Sequence, residues 1–336
     1  MSATGKTGAG GPVVCEPVVS VLLDPEWASG SLVDDVRRGL TRHPRTLPPK
    51  WLYDDVGSDL FDEITRLPEY YPFAAERSIL AAHAAEIATA SGATTLIELG
   101  SGTSEKTRLL LDAFTATGQL TRFSPVDVSE GTLREAANEI ARHYPGMAVE
   151  AVVGDFTLHL AQLPRGGRRM VAFLGGTIGN LYLEERRAFL GALADVLEPG
   201  DSVLLGTDLV KSAGRLISAY HDDAGVTAQF VLNSLRVLNN TLDADFDLDA
   251  FSYVPFWDPH MERMDLRLRS EAPQRVTIPG ADLVLELAVG EEIHVEISTK
   301  FRVSKIAAEL EQAGFGVSRV WTDEAGDFAL TLATKA

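Results

Sequence analysis

Cysteine is almost missing from this chain: Cys15 is the single one in 336 residues. One thiol cannot close an internal disulfide, so the sequence reads as that of a reducing compartment and a cytoplasmic location is expected. Histidine is sparse too. His43, His83, His143, His159, His221, His260 and His294 include no pair at i, i+4, so no local motif supports a metal centre and none is expected. Basic residues are in deficit, 30 against 48 acidic ones, for a formal charge of −18. That balance disfavours nucleic acid and anionic membrane as partners, and no basic, aromatic groove pattern offsets it. No run approaches the roughly 18 apolar residues of a membrane helix. The opening MSATGKTGAGGP lacks the charged and then apolar segments of a secretory signal. Residues 1–20 are therefore expected to be a flexible tail on a soluble protein, taken to be a monomer.

What is present is ample core material. With 45% hydrophobic residues and 23% charged, the length suits one large or two modest domains and excludes disorder and collagen-like repeats. LVDDVRRGL (32–40) has the spacing of an amphipathic helix. In WLYDDVGSDLFDEITRLPEYYP (51–72) a helix is expected over about 58–66, with Ser58 as its N-cap. From about residue 75, helices of ten to fifteen residues alternate with apolar strands in TTLIEL, Leu120–Val128, AVEAVV, RRMVAFL and DSVLLGTDLV. This is the signature of a doubly wound parallel sheet, α/β in class. Residues 210–300 break the rhythm: a helix in GRLISAYHDD, a polar stretch LNSLRVLNNTLDADFDLDAFS, then strand-like runs in RMDLRLRSE, RVTIPG, LVLEL and EIHVEISTKF, several of them alternating. The chain closes with a helix in KIAAELEQAGF and a strand–turn–strand pair that suits an antiparallel addition to the sheet edge. The expected organisation is a sheet domain from 75–209 and 301–336, plus a split α+β substrate-binding domain from 21–74 and 210–300.

The strongest local signal is Leu96-Ile97-Glu98-Leu99-Gly100-Ser101-Gly102-Thr103-Ser104, an apolar strand running into a glycine turn and a helix. Glycine allows the tight turn and close approach of a ligand to the backbone. A dinucleotide loop would carry a third glycine near position 105, where this chain has Glu105, a poor neighbour for a pyrophosphate. A nucleoside without phosphate, such as S-adenosylmethionine, suits the loop better; a generic glycine turn is the plain alternative. Asp127 ends the second strand, where a carboxylate can accept from both ribose hydroxyls, and Asp155 ends the third, within reach of an adenine amino group. Either aspartate alone could be an ordinary turn residue. Three such sites on successive strand ends point to a class I S-adenosylmethionine-dependent methyltransferase, Rossmann-like in fold.

WLYDDVGSDLFDEITRLPEYYP, ELGSGTSEKT, GDF, FLGGTIGN, LLGTDLVK and GEEIHVEISTKF, in that order, resemble the histidine-specific Nα-methyltransferases of ergothioneine biosynthesis over about residues 32–336. The resemblance implies three successive methylations of the α-amino group of L-histidine, giving hercynine, with S-adenosyl-L-methionine as cofactor. It implies a cofactor site of Tyr70, Gly100, Lys106, Asp127, Asp155 and Phe156, with Lys106 one turn into its helix and facing the cofactor carboxylate. It assigns Asn180 and Tyr220 to the substrate carboxylate, and Glu296 and Ser298 to the imidazole. Their i, i+2 spacing puts these last two on one strand face. Tyr53, Phe61 and Tyr70, with Thr177 nearby, would surround the reacting amine, Tyr53 orienting it; apart from the resemblance, Tyr53 and Phe61 read as core aromatics. Leu266-Arg267 departs from the Met-Trp that family members can carry there, which bears on selectivity. Asp243, Asp245, Asp247 and Asp249 mimic a calcium loop, but the sixth position is Leu248 and the twelfth Val254, so an acidic solvated loop is expected. Other classes consistent with the fold are a methyltransferase of another small amine, a nicotinamide-dependent oxidoreductase and a noncatalytic ligand-binding protein.

Overall fold

A computed structural model describes residues 16–23 and 27–336; Cys15 and most of the expected tail lie outside the described residues. The chain runs β1 (Val18–Val21), α1 (Trp27–Leu40), β2 (Arg45–Thr46), α2 (Asp55–Ile64) and α3 (Tyr71–Ser91). Regular alternation follows: β3 (Thr95–Leu99), α4 (Thr107–Thr117), β4 (Arg122–Asp127), α5 (Glu130–His143), β5 (Ala148–Val153), β6 (Arg169–Phe173), α6 (Leu183–Val196) and β7 (Ser202–Asp208). Then come α7 (Ala213–Tyr220), α8 (Val226–Leu242), β8 (Phe251–Asp258), β9 (Arg263–Ser270), β10 (Gln274–Ile278), β11 (Leu283–Leu287) and β12 (Glu292–Thr299). The chain ends in α9 (Val303–Gln312), β13 (Phe315–Thr322) and β14 (Phe328–Lys335).

Eight strands form one sheet in the order β1-β5-β4-β3-β6-β7-β14-β13, parallel from β1 to β7, with β14 antiparallel to both of its neighbours. This is the class I methyltransferase arrangement. Strands β3, β6 and β7 are buried throughout, which is why they read as continuous apolar runs. Leu96 packs into one core layer and Ile97 and Leu99 into the other, so helices cover both faces. The order reverses direction between β3 and β6, and a crevice opens outside the carboxyl ends of strands at such a switch point. The Gly100 turn and the Leu174–Asn180 segment face each other there.

A second core gathers α1, α7, α8 and the four-stranded sheet β2-β12-β9-β8, with the β10-β11 hairpin beside it. The two sheets meet where β7 ends. Phe301 donates its N–H to the Asp208 carbonyl (2.7 Å), and Val210 donates to the Phe301 carbonyl (2.9 Å).

Several expectations change. Val18–Val21 pair with β5 as a parallel edge strand, so the chain is already part of the large sheet within the segment expected as tail. The stretch from 232 to 252 expected as polar is largely α8: Phe230, Val231, Leu235, Leu238 and Leu242 share a helical face, while Asn233 and Ser234 are wholly buried and mask the pattern. Strand β8 was not anticipated; its Pro255 is tolerated because β8 is the sheet edge. The acidic run is structural in part: Asp243 caps α8 in the left-handed region, and Asp245 accepts the Thr277 N–H (2.6 Å).

Helix α2 starts three residues earlier than expected, and its cap is Asp54 instead of Ser58. Asp54 Oδ1 accepts the Gly57 N–H (2.8 Å) and an Asn233 side-chain N–H (2.6 Å). Gly57 is forced by proximity: a Cβ there would stand 1.6 Å from the Leu52 carbonyl oxygen, one residue before Tyr53. Asp54→Ala, which removes a cap and strands a buried amide, should cost about 1–2 kcal/mol in denaturant unfolding. Because α2 carries Phe61, the same variant should also lower the affinity for whatever the Tyr53–Phe61 wall contacts.

Candidate active site

At the carboxyl end of β3 the chain turns through Gly100 (φ +66°) and Gly102 (φ +47°). Glu98, buried beneath the turn, accepts from the Ser104 hydroxyl (3.0 Å) and from Thr107, tying the loop to the first turn of α4. Burial raises its carboxyl to about 7 against these bonds. Asp127, at the end of the adjacent strand β4, accepts the N–H groups of Gly102 and Ser129 (2.9 Å each), and burial raises its carboxyl too. Asp155, at the end of β5, accepts from the Thr157 N–H and hydroxyl through Oδ1. Phe156 stands edge-on to Phe173 at a centroid distance of 5.0 Å. Gly100, Asp127 and Asp155 thus come together along one sheet edge. The Ser101 hydroxyl, buried in the loop, has no hydrogen-bond partner among the described residues. A cradle with an idle donor and carboxylates at successive strand ends fits S-adenosylmethionine.

Lys106 departs from expectation. It is the N-cap residue of α4 and not a full turn inside, because the loop continues through Ser104 in the left-handed region. Its ammonium pairs with Glu76, a fully buried carboxylate on α3 that also accepts the Gly175 N–H (2.9 Å to each oxygen). Glu76 therefore joins α3, α4 and the loop after β6. No local pattern in the alanine-rich α3 marks it.

The expected substrate residues converge on a second wall. Tyr53 stacks edge-on to Phe61 (5.6 Å) and to Phe230 of α8 (5.3 Å); Phe61 meets Tyr70 (6.3 Å), and Tyr70 meets Tyr220 (6.2 Å). Burial foremost, with Glu296 adding to it, raises the phenols of Tyr53 and Tyr70 well above their ordinary value, so both stay protonated at neutral pH. Phe230 was missed because it lies between the helix expected to end at Asp223 and the polar stretch expected from Leu232, in residues given no element. Thr177, half-buried in the loop after β6, donates its hydroxyl to the Leu174 carbonyl (3.0 Å).

Glu296 and Ser298 reach this wall through a β-bulge in β12. Before it, His294 lies opposite Arg267; after it, Glu296 lies opposite Leu266 and Ser298 opposite Met264. Residues directly opposite share a face, so the bulge turns Glu296 and Ser298 toward the core that holds Met264 and Leu266. Leu266 therefore borders the carboxylate. Arg267 points away, bonded to Asp265 (3.0 Å) and Glu292 (2.9 Å) and stacked on Phe256. The Asn180 side chain bonds Glu296 in this state, although the resemblance assigned it to the substrate carboxylate. Its amide has two N–H groups, so the two tasks are compatible.

A model of the family described as "Histidine-specific methyltransferase, SAM-dependent" matches residues 32–335. The chain belongs to that family. This methyltransferase is 55% identical to a histidine N-alpha-methyltransferase of Mycolicibacterium smegmatis over 93% of its own length and 98% of the relative's. It is 56% identical to the Mycobacterium tuberculosis protein of the same name, over 90% and 94%. Among solved structures, an S-adenosylmethionine-dependent methyltransferase from Clostridium acetobutylicum matches at a TM-score of 0.46 and 10% identity, covering 83% of this chain and 98% of that one.

Burial raises the Glu296 carboxyl from 4.5 to about 7, with Lys300 and the Asn180 bond opposing the shift. The folded protein therefore holds this proton more tightly than the unfolded chain. The associated stability is complete below about 4.5 and is lost as pH rises through about 7. Glu296→Gln, which has nothing to ionise, should stabilise the methyltransferase in the absence of ligands at pH 8 by up to about 3 kcal/mol. Near pH 5 the advantage should vanish. Thermal melts at the two pH values check both the sign and the window.

Proposed function

We propose that this enzyme transfers methyl groups from S-adenosylmethionine to the α-amino group of L-histidine, three times in succession, giving Nα,Nα,Nα-trimethyl-L-histidine for ergothioneine biosynthesis. One observation carries the histidine reading: a carboxylate and a hydroxyl, Glu296 and Ser298, share one strand face and lie against the buried phenols of Tyr53, Tyr70 and Tyr220. A carboxylate accepts an imidazole N–H, and a hydroxyl can serve the other ring nitrogen. The second Asn180 N–H would hold the carboxylate, with Tyr220 beside it, its own proton committed to Ser298. Gly100, Lys106, Asp127, Asp155 and Phe156 would hold the cofactor, with Tyr70 between the two ligands. The cofactor supplies an electrophilic methyl group on a sulfonium.

The chain's task is to place a neutral amine in line with that methyl and exclude water. Tyr53 and Tyr70 are too weakly acidic in their buried positions to act as bases. Tyr53 orients the amine by a hydrogen bond, and the proton leaves before or during binding. After each transfer the nitrogen is an ammonium again and must lose a proton before the next. The wall of Tyr53, Phe61 and Phe230 therefore has to admit one and then two methyl groups.

Incubation with S-adenosylmethionine and L-histidine should give products heavier by one, two and three methyl groups by mass spectrometry; a panel of other free amino acids should give none. Glu296→Ala should raise the histidine KM about 10- to 100-fold, the worth of one charge-assisted hydrogen bond, with cofactor affinity nearly intact. Equal losses for both ligands would assign Glu296 to folding. Tyr53→Phe should slow transfer in single-turnover measurements; unchanged rates for all three steps would remove the orienting role.

A further inference from the structure

Behind the Glu296–Ser298 pair lies a buried polar cluster that the transfer reaction has not used. Lys300, fully buried two residues beyond Ser298 and just past the end of β12, has three ammonium protons and three partners. They are Ser298 Oγ (2.7 Å), Tyr220 Oη (2.8 Å) and the Asp208 carboxylate (2.8 Å). Tyr220 in turn donates its own proton to Ser298 Oγ (2.8 Å). A serine oxygen has two lone pairs and one proton. With both lone pairs filled by Lys300 and Tyr220, the only capacity left to Ser298 is to donate.

We infer that Lys300 is a specificity-determining positioning residue: by saturating Ser298 as an acceptor, it makes the site take the substrate imidazole as the neutral ring. This rests on the placement of the imidazole against Glu296 and Ser298. The ring's N–H goes to Glu296, and its unprotonated nitrogen accepts from Ser298. An imidazolium has a proton on both nitrogens and would meet a donor with a donor.

The charges at the Tyr220 end of the site act in the same direction, against the pull of Glu296 on the ring's other side. Asp208 of β7 is shared by two ammonium groups, Lys300 and Lys211, and also accepts from Tyr71 of α3. One carboxylate between two cations leaves this end of the site positive, which suits the substrate carboxylate near Tyr220 and opposes a charged ring. Glu296 of β12 is the one negative group on the ring's other side. Tyr53, Tyr70 and Tyr253 of β8 complete the surroundings as neutral phenols, Tyr253 donating to the Tyr220 carbonyl (2.8 Å).

The test reads the ring directly. Histidine labelled with 15N in the imidazole is bound to the full-length protein with S-adenosylhomocysteine at about pH 6, below the ring's ordinary value of about 6.5. The wild type should show one N–H-type and one acceptor-type nitrogen, although the free ring is mostly charged at that pH. Lys300→Met keeps the stem, and Asp208 keeps Lys211 and Tyr71; its bound ring should shift toward two N–H-type nitrogens. Ser298→Ala, which leaves the Lys300–Asp208 pair in place, should shift it likewise. Two N–H-type nitrogens in the wild type, a result that needs no variant, would overturn the inference. So would an unchanged neutral ring in both variants. If the ring resonances do not move on binding and Ser298→Ala leaves histidine affinity intact, the imidazole placement itself fails and this inference with it.

Discussion

The site depends on the seam where β7 and β12 run out beside each other. Backbone hydrogen bonds join Phe301 to Asp208 and Val210, and the Lys300–Asp208 ion pair lies buried against them. Breaking such a pair from one side leaves an uncompensated charge and typically costs about 3–5 kcal/mol. The constraint is more than a matter of stability. It fixes the strand that carries Glu296 and Ser298 relative to the sheet whose edge carries Gly100, Asp127 and Asp155. Methyl transfer tolerates little error in the distance and angle between two ligands, so the elements that hold them have to be registered to each other.

Local devices then aim the side chains. The bulge in β12 is one extra residue, yet it decides which face Glu296 presents. Without it the carboxylate would share a face with His294 and Arg267, in the ionic cluster around the buried Asp265. On the cofactor side, two buried glutamates do comparable work: Glu98 binds the glycine turn to α4, and Glu76 binds Lys106 and the loop after β6 to α3. Buried carboxylates are costly when unpartnered, and each of these has partners from separate elements. They convert flexible loops into a fixed rim.

Burial also sets the proton chemistry. The phenols of Tyr53 and Tyr70, along the wall proposed for the substrate, are held neutral, so they could orient an amine without competing for its proton. Glu296 is raised to about 7, poised so that an N–H donor or a nearby cation decides its charge. The large negative charge of the chain bears little on this. In the proposed function, recognition would rest on a few carboxylates whose surroundings differ from those of the solvated majority.

The sequence alone determined the parallel sheet and the glycine turn at its carboxyl edge, because fully buried strands must be apolar and a tight turn at a strand end must be glycine. Strands β3 to β7, the Gly100 turn, Asp127 and Asp155 were legible for those reasons. The aromatic and acidic residues proposed for the substrate wall were named through family motifs alone, with no physical signal of their own to separate Tyr53 from a core tyrosine. Strand β1 was hidden by its shortness and exposure, α8 by buried Asn233 and Ser234, and the Asp54 cap by the neighbouring Ser58. Tertiary structure alone decided that Glu76 meets Lys106, that Phe230 completes the wall and that Lys300 stands between Asp208 and Ser298. Glu76 and Lys106 lie 30 residues apart in the chain, and Tyr53 and Phe230 lie 177 apart. Charge pairing and hydrogen bonding act through space, so no local pattern encodes them.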